Sequence, residues 1–448
     1  MKFENLMNAN KIFFIGIGGI SMSGLAKLLK SYNINILGSD SRESNNTIDL
    51  INHNIDVIYG QKSENITKDI DYIVYTSAIK DDNPELVRAR ELGITILKRI
   101  ELIALLTNGH KYSVAISGTH GKTSTTSFVS HIMEELDPTI SIGGILESIG
   151  GNVRVGKSDY FVTEACEYMD NFLYLNPYAS IILNIEEDHL DYFKDLSHIQ
   201  DSFKKFSTQT SEILIVNENI KHLFNHKNLI TFGFDNADYI AENIKFKNGY
   251  TSFDIISSNR KLFNISIKTF GNHNVLNALA SIALALELGI EVTTIKEGLS
   301  SFKCANRRLE YKGTYKDAII YDDYAHHPTE IRTSLNAYKA FERKVICIFQ
   351  PHTYSRTKSF MKDFAKSLCH CDEVIIPKIY AARETDTLGI SSKDLVKEIE
   401  KLNGNVRYIP EFDDIIEHLT EENLTDTLII TMGAGDIFKV GEKLVNML

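Results

Sequence analysis

Residues 114–127, VAISGTHGKTSTTS, decide the fold of the middle of the chain. The apolar run 112–116 predicts a short buried strand, and the pattern after the glycine-rich turn predicts a helix that ends at Leu136. Strand, loop and helix in this order are the setting of a phosphate-binding loop. Gly118 and Gly121 allow a tight turn that points backbone N–H groups inward, next to the positive end of the helix.

Two side chains give this loop its expected chemistry. Lys122 is predicted to reach the β- and γ-phosphates of a nucleotide, and the hydroxyl of Thr123 to hold Mg²⁺. The strict pattern G-x-x-x-x-G-K-[ST] has glycine where this chain has Ile116. The alternative is an ordinary glycine-containing turn. Because glycine, lysine and threonine fall together directly after a strand, the sequence favours the phosphate loop.

Length and composition set the outer bounds. The chain has 448 residues, 43% apolar and 24% charged, which is typical of globular proteins with several domains. The formal net charge of −11 argues against a protein that binds nucleic acid or a membrane surface. Local basic pockets for anionic ligands remain compatible with it.

Targeting signals and cysteines indicate a cytoplasmic location. The first ten residues contain no secretory apolar region, and no apolar run is long enough to span a bilayer. The five cysteines are scattered, and Cys369 and Cys371 lack the spacing and partners of a zinc site. Reduced thiols in a cytoplasm are therefore expected.

The start of the chain carries a second glycine-rich turn. The apolar run 11–15 predicts a strand, and Gly16, Gly18 and Gly19 follow it in a pattern similar to the dinucleotide fingerprint. Ser21 stands at the third glycine position of G-x-G-x-x-G, so the strict pattern fails. A generic turn between a strand and a helix is the alternative.

The following residues extend this pattern into an α/β unit. A strand predicted at 34–37 leads to Asp40, which lies where Rossmann-like folds place a carboxylate for a sugar hydroxyl. Strands are predicted at 72–75 and 94–97, and Asn83-Pro84 begins a helix between them. Together these elements predict a domain of about a hundred residues.

The middle of the chain places further polar residues after strands. Strands predicted at 160–163 and 180–183 lead to Glu164 and to the acidic segment 184–191, which contains His189. Both side chains are candidates for a Mg²⁺ site, although imidazole is an unusual ligand for this hard ion. A solvated acidic loop is the alternative, and only the phosphate loop upstream favours the metal site.

Two later segments complete this part. Residues 238–268 alternate polar and apolar side chains and predict strands in an antiparallel arrangement. An apolar helix then ends at Gly289, and its Asn274 and Asn277 share one face. Their amides could bind an adenine edge. A capped core helix explains the same residues, and the residues alone favour it.

The last part repeats the pattern of polar residues after strands. Strands predicted at 318–321, 345–349 and 427–430 lead to DDYAHHP, QPHTYSRT and MGAGD. Each cluster could be ordinary loop polarity. Their repetition in one structural place predicts a third α/β domain with a ligand-binding edge.

Taken together, these stretches resemble the Mur ligase family. The motifs run in family order from residue 16 to residue 436: GIGGISMSGLA, SGTHGKTSTT, EACEY, NIEEDHLDYF, GNHNVLNALA, RRLE, DDYAHHPTEI, QPHTYSRT and MGAGD. GTHGKT by itself indicates only the wider ligase superfamily. DDYAHHPTEI and QPHTYSRT point to the alanine-adding branch and its close relatives.

The resemblance implies an α/β fold with three domains. Residues 1–108 would form a Rossmann-like domain that binds a UDP-sugar rather than NAD. Residues 109–312 would form a central ATP-binding domain of the P-loop ATPase type. Residues 313–448 would form a C-terminal, Rossmann-like domain that binds the amino acid.

The resemblance also implies the reaction and its partners. ATP and Mg²⁺ would drive amide formation between L-alanine and the lactyl carboxylate of UDP-N-acetylmuramate, through an acyl phosphate, for peptidoglycan precursors. No nucleic acid or membrane partner is implied, and the chain is expected to be a monomer or a homodimer. Because the protein contributes little covalent chemistry, positioning and charge neutralisation would supply most of the acceleration.

Individual roles follow from the matched motifs. The residues implied to bind ATP are Gly118, Thr119, His120, Gly121, Lys122, Thr123, Ser124, His273, Asn274, Asn277, Arg307 and Asp322. Those implied to bind the two substrates are Gly16, Gly18, Gly19, Asp40, Ser77, Tyr324, His352 and Arg356. Mg²⁺ would be held by Thr123, Glu164 and His189, and the implied catalytic residues are Lys122, His189, Arg308 and His327.

Other functions remain open at this stage. A neighbouring ligase that attaches a recycled peptide to the same sugar, or a folylpolyglutamate-type ligase, shares much of this pattern. A phosphate-binding regulatory protein without ligase activity is a further alternative, but it gives the polar clusters of the third domain no role.

Overall fold

The protein is built on three β-sheets of five, ten and six strands. The structure is a computed structural model, and it describes residues 2–76, 78–190, 192–247, 249–302, 305–382, 384–402 and 404–447. No helix within these ranges is long and apolar enough to cross a membrane.

The first domain is a five-stranded parallel sheet with the order β3-β2-β1-β4-β5. Its strands are almost continuously apolar where both faces are covered, as in β1, KIFFI, which is buried from its second residue onward. Its elements are α1 (Phe3–Met7), β1 (Lys11–Ile15), α2 (Ile20–Ser31), β2 (Asn35–Asp40), α3 (Asn45–Asn52), β3 (Asp56–Tyr59), β4 (Tyr72–Tyr75), α4 (Pro84–Glu91), β5 (Thr95–Lys98) and α5 (Arg99–Asn108).

The second domain is organised on a ten-stranded sheet with the order β15-β14-β13-β12-β11-β10-β6-β9-β7-β8. The strand before the phosphate loop, β6, lies between β10 and β9 and is parallel to both. The elements are β6 (Tyr112–Ser117), α6 (Lys122–Ile132), β7 (Thr139–Leu146), β8 (Gly151–Arg154), β9 (Tyr160–Glu164), β10 (Ala179–Ile182), α7 (Leu196–Gln209), β11 (Ile213–Asn217), β12 (Leu229–Gly233), β13 (Tyr239–Lys247), β14 (Tyr250–Ser257), β15 (Arg260–Ile267), α8 (Asn272–Glu287) and α9 (Val292–Ser300).

The third domain is a six-stranded sheet with the order β16-β17-β21-β18-β19-β20. Only the pairing of β16 with β17 is antiparallel among its described ladders. The elements are β16 (Glu310–Tyr315), β17 (Ala318–Asp323), α10 (Pro328–Tyr338), β18 (Lys344–Phe349), α11 (Tyr354–Ser359), α12 (Met361–Leu368), β19 (Glu373–Ile376), α13 (Ser392–Glu400), β20 (Val406–Tyr408), α14 (Phe412–Glu421), β21 (Thr427–Met432) and α15 (Phe438–Val445).

The chain folds into two compact units. One comprises the residues up to Ile244 together with Ser252–Ile267 and Leu276–Ala305, and it holds the first sheet and most of the second. The other comprises Lys245–Thr251, Lys268–Val275 and Asn306–Leu448, and it holds the third sheet.

Most elements lie where the sequence predicts them. The predicted strands at 11–15 and 72–75 coincide with β1 and β4. The helix predicted at Asn83-Pro84 is also confirmed, because the side-chain oxygen of Asn83 accepts the backbone N–H of Glu85 at 2.9 Å as an N-cap.

Two predicted elements differ from the structure. The helix after the phosphate loop ends at Ile132, not Leu136, and a 3₁₀ turn follows. The α-helix stops because Met133 leaves the helical conformation, with φ −91° and ψ 4°. The segment 238–268 forms three strands, but β13 runs parallel to β12. The two-residue turn Ser258–Asn259, with positive φ at both positions, is typical of an antiparallel hairpin between β14 and β15.

A glycine pair tests the packing of the first sheet. A Cβ on Gly38 in β2 would lie 2.4 Å from the carbonyl oxygen of Phe14, whereas a Cβ on Gly151 in β8 has nothing within 4 Å. Gly38→Ala is therefore expected to lower the free energy of unfolding by about 1–3 kcal/mol, because the backbone must shift. Gly151→Ala is the control and should leave it unchanged or slightly higher. Equal urea midpoints for the two variants would contradict this account of the packing.

Candidate active site

The loop between β6 and α6 needs glycine at two positions. Gly118 has φ +139° and Gly121 has φ +86°, which side chains other than glycine rarely adopt. A Cβ on Gly118 would lie 2.9 Å from the Cβ of Leu183, and one on Gly121 would lie 2.6 Å from Oδ1 of Asn277. The loop is thus closely packed against Leu183 and Asn277. Glycine is needed at both positions because it allows the positive φ and because a side chain would collide with these neighbours.

The loop is braced by the segment after β10. The backbone N–H of His120 donates to Oδ1 of Asn184 at 2.8 Å, and the Asn184 amide donates to the His120 carbonyl at 3.1 Å. Oγ1 of Thr119 accepts the backbone N–H of Glu186 at 2.9 Å. These bonds fix the shape of the loop from the neighbouring strand.

The Lys122 ammonium is held by an ion pair. Its Nζ lies 2.9 Å from Oε2 of Glu167, and it also donates to the carbonyls of Gly118 and Thr119. The Glu167 side chain is 3% exposed and that of Lys122 is 16% exposed. Burial by itself would lower the pKa of Lys122, but the charge of Glu167 outweighs it and raises the pKa. The ammonium is therefore charged and oriented toward the inside of the loop.

Thr123 and Glu164 lie against the same two glycines of β7, Gly143 and Gly144. Oε1 of Glu164 accepts the backbone N–H of Gly143 at 2.8 Å. A Cβ on Gly144 would lie 3.2 Å from Cγ2 of Thr123. The structure therefore brings two of the three predicted Mg²⁺ residues to the same pair of glycines. A hydroxyl and a carboxylate are hard oxygen donors, so these residues fit a magnesium ion.

His189 belongs to a different group of contacts. Its Nε2 lies 3.9 Å from Oε1 of Glu167 and 3.8 Å from Oδ2 of Asp188, and its ring lies 4.6 Å from that of Tyr168. His189 has φ +53°, which is uncommon outside glycine. Its assignment as a metal residue stays a prediction, and its observed carboxylate neighbours include the partner of Lys122.

In the first domain, Asp40 braces the glycine-rich turn. Its Oδ2 accepts the backbone N–H of Gly18 at 2.8 Å, and the Asn46 amide donates to the Gly18 carbonyl at 2.8 Å. Gly16 has φ +77°, as a tight turn requires. Ser77, the remaining predicted residue of this domain, lies outside the described residues.

The start of α8 lines a cavity of about 310 Å³, whose wall includes Gly271, Asn272, His273, Thr333, Asn336 and Ala337. Nδ1 of His273 is buried without a hydrogen-bond partner among the described residues. Burial and the positive charge of Arg308 lower the pKa of His273 to about 4, so its ring is neutral at pH 7. A neutral imidazole beside a cavity can bind a polar group of a ligand.

The two predicted adenine-binding amides have contacts within the protein. The Asn274 amide donates to Oγ1 of Thr269 and to the carbonyl of Phe270, each at 3.0 Å. This contact is typical of the capped helix that the residues alone favour. Asn277 contacts the phosphate loop, since its Oδ1 lies against Gly121.

Arg307 and Asp322 are paired with each other. The Arg307 side chain donates to Oδ2 of Asp322 at 2.8 Å and to the carbonyls of Gly433 and Gly435 at 2.7 and 2.8 Å. Asp322 also accepts the hydroxyl of Thr431 at 2.7 Å. This network joins the start of the third domain to the MGAGD loop. The side chains of Arg307 and Asp322, two of the residues predicted to bind ATP, already have hydrogen-bond partners within the protein.

Aromatic and histidine rings gather at the ends of β17 and β18. Tyr324 lies under the guanidinium of Arg308 at 5.2 Å and 5.4 Å from the ring of His326. The His326 ring lies 6.0 Å from that of His352, which stacks on Tyr380 at 5.6 Å. The structure thus brings Tyr324 and His352 into one cluster, as a shared substrate site requires.

The helix that carries Arg356, α11, begins at an N-cap residue with a strained backbone. Thr353, the N-cap of α11, has φ +63° and ψ 149°, a conformation that a β-branched residue rarely adopts. It is held there because its N–H donates to the Tyr380 carbonyl at 2.8 Å. The positive charge of Arg356 reaches His352, where burial and that charge together lower the pKa to about 4. Arg356 and His352 therefore share one local environment.

His327 caps α10. Its Nδ1 accepts the backbone N–H of Thr329 at 3.3 Å, and its ring packs edge-on against Phe360 at 4.8 Å. Asp323, the last residue of β17, is also buried, and this burial raises its pKa to about 6. A catalytic role for His327 stays a prediction, beside a structural role that the contacts show.

Sequence reasoning missed Glu167 and Asp323. Glu167 is the second carboxylate of EACEY, and its position three residues after Glu164 is the only signal that could have indicated it. Asp323 adjoins the predicted Asp322, and alternation along β17 turns the two carboxylates to opposite faces. Both are acids next to a predicted site residue.

Three family models match this chain, one in each domain. Residues 11–111 match "Mur ligase family, catalytic domain", residues 116–285 match "Mur ligase middle domain", and residues 307–435 match "Mur ligase, glutamate ligase domain". The chain belongs to the Mur ligase family, and its three α/β domains have the fold of that family.

Similar proteins cover the chain from end to end. A UDP-N-acetylmuramate–L-alanine ligase from Clostridium novyi is 49% identical over 99% of both chains, and one from Lachnospira eligens is 48% identical over 98% of both. The crystal structure of a UDP-N-acetylmuramate–alanine ligase from Thermotoga maritima matches with a TM-score of 0.82 at 30% identity, covering 98% of both chains.

The ion pair between Lys122 and Glu167 predicts that removing the lysine destabilises the fold and that also neutralising Glu167 restores stability. Lys122→Ala is expected to lower the free energy of unfolding by about 3 kcal/mol, because it leaves the buried Glu167 carboxylate without its counter-ion. Lys122→Ala/Glu167→Gln should recover most of this loss. Urea denaturation of both variants measures it, and a single variant as stable as the native protein would contradict the ion pair.

His352 predicts a pH dependence of stability. With its folded-state pKa near 4 and an ordinary value of 6.5, the unfolded chain takes up the proton first as the pH falls. Stability is thus lost between pH 6.5 and 4, and His352→Gln should lose less Tm than the native protein between pH 7 and 5. His370→Gln, at an exposed histidine of the same domain, is the control. An unchanged pH profile in His352→Gln would contradict a neutral buried ring.

Proposed function

We propose that this chain is an ATP-dependent ligase that joins L-alanine to the lactyl carboxylate of UDP-N-acetylmuramate. The single observation that carries this proposal is the glycine-braced loop with a charged, buried Lys122, in a chain 49% identical to a ligase of that name. A carboxylate is a poor acyl donor, so the reaction needs activation. Its oxygen bonds to the γ-phosphorus as ADP leaves, and the alanine amine then forms the amide as phosphate leaves.

The loop residues would act on the transferred phosphoryl group. Lys122 would exchange part of its contact with Glu167 for the phosphate oxygens and neutralise the charge that develops there. Thr123 and Glu164 would hold Mg²⁺, which supplies charge screening on the phosphates when bound. The backbone N–H groups around Gly118 and Gly121 would orient the nucleotide.

The third domain would bind the amino acid. Arg356 offers a planar fork that matches the carboxylate of alanine with two hydrogen bonds. The neutral ring of His352, beside Tyr324, suits the polar end of a small substrate because it adds no competing positive charge to the ammonium.

The first domain would bind the UDP-sugar at Gly16, Gly18 and Gly19. The proposal also includes domain limits at 108/109 and 312/313. It places the protein in the cytoplasm, where ATP is available, as a monomer or a homodimer. His189, Arg308 and His327 stay catalytic predictions within it.

A phosphate-release assay tests this function directly. Protein with UDP-N-acetylmuramate, ATP and Mg²⁺ should release phosphate on addition of L-alanine, and not on addition of an L-alanyl peptide or L-glutamate. Lys122→Ala should reduce the rate on the order of 10²–10³-fold, because a contact made in the transition state is lost. Release that depends on the peptide instead would assign the recycling ligase. A folded Lys122→Ala with the native rate would remove the loop from the mechanism.

Arg356 predicts a selective change in substrate affinity. Arg356→Lys should raise KM for L-alanine by roughly tenfold or more, because an ammonium cannot replace the bidentate fork. KM for ATP should stay nearly unchanged. If Arg356 only supports the local fold, Tm falls instead and KM for alanine does not change.

A further inference from the structure

Arg99 is a partly buried arginine near the glycine-rich turn of the first domain. It is the first residue of α5, and its Nη1 donates to Oγ of Ser21 at 3.0 Å. Ser21 lies in the first turn of α2, directly after Gly16–Gly19. A side chain from the end of the domain thus reaches the loop that the proposed function gives to the UDP-sugar.

The Arg99 guanidinium forms no ion pair with a carboxylate in the part of the chain that the structure describes. Among the residues the structure describes, no carboxylate comes within 4.0 Å of it, whereas Arg154 and Arg307 contact Asp137 and Asp322 at 2.6 and 2.8 Å. Burial lowers the pKa of Arg99, and only the more distant Cys166 and Glu164 oppose this effect. An arginine stays charged in proteins, so the missing partner leaves desolvation uncompensated.

The surroundings show which ligand would compensate it. The Ser21 hydroxyl that contacts the guanidinium lies in the first turn of α2, beside the glycine-rich turn. An anion bound by Arg99 would therefore lie against the turn that the proposed function gives to the UDP-sugar. The five fixed N–H donors of a guanidinium match phosphate and carboxylate oxygens alike.

We propose that Arg99 and Ser21 form an oxyanion-binding site for the sugar-nucleotide substrate, which takes either its diphosphate or its lactyl carboxylate. This inference rests on the proposed function and adds Arg99 to it as a substrate-binding residue. The Ser21 hydroxyl, at the position where the dinucleotide fingerprint has glycine, holds the guanidinium in place before the ligand binds.

A purely structural role predicts different behaviour. If the bond to Ser21 only ties α5 to α2, replacing Arg99 lowers Tm and leaves every ligand affinity unchanged. Affinity for the sugar nucleotide, measured beside affinity for ATP on the same folded variant, therefore distinguishes the two roles.

The experiment is calorimetric titration of the full chain with UDP, UDP-N-acetylmuramate and ATP. Arg99→Gln should weaken UDP-N-acetylmuramate about ten- to hundredfold, the scale of a lost charged hydrogen bond, with ATP unchanged. Arg99→Lys, which keeps the charge and most of the stem, should fall between Arg99→Gln and the native protein. Arg88→Gln, at an exposed arginine paired with Glu91, is the control and should bind all three ligands normally.

Each outcome decides a point. Equal losses for UDP and UDP-N-acetylmuramate assign the diphosphate, and a loss confined to UDP-N-acetylmuramate assigns the lactyl carboxylate. Native affinity in both Arg99 variants would overturn the inference while the proposed function stands. If the native protein itself fails to bind UDP-N-acetylmuramate, the proposed function fails instead. If Arg99→Gln does not fold, Arg99→Lys alone decides the question. The inference then requires that this variant loses affinity for UDP-N-acetylmuramate relative to its affinity for ATP.

Discussion

The ion pair between Lys122 and Glu167 is the contact on which the active site depends. It places a charged ammonium inside a loop whose glycines leave no room for side chains, and it keeps that charge desolvated. A ligand phosphate can therefore displace part of an existing electrostatic interaction rather than order a free side chain. This preorganisation is what makes a single positive charge effective in phosphoryl transfer.

The parallel sheets explain why polar residues gather where they do. In each domain, strands that are buried on both faces leave only the loops after their carboxyl ends free for chemistry. The glycine-rich turn follows β1, the phosphate loop follows β6, and the clusters of the third domain follow β17, β18 and β21. Each domain therefore brings one set of polar groups to one edge of its sheet.

The sequence predicted the order of strands, turns and helices well because these elements depend on local patterns. Apolar runs, an Asn-Pro helix start and glycine-rich turns are local signals, and they located β1, β4, α4 and the phosphate loop. It could not predict the partners of Lys122, Asp40 and Arg307. Those contacts join residues that are separated in sequence, and they depend on strand register and on unusual backbone conformations, as at Arg307 with φ +65°.

The central claim is that the chain activates a carboxylate by forming an acyl phosphate. UDP-N-acetylmuramate carrying ¹⁸O in both lactyl carboxylate oxygens, incubated with ATP, Mg²⁺, L-alanine and the protein, tests it most directly. Mass spectrometry of the products should show one ¹⁸O in the released inorganic phosphate and one in the new amide. Label in AMP, or phosphate released without ¹⁸O while the amide forms, would contradict the account.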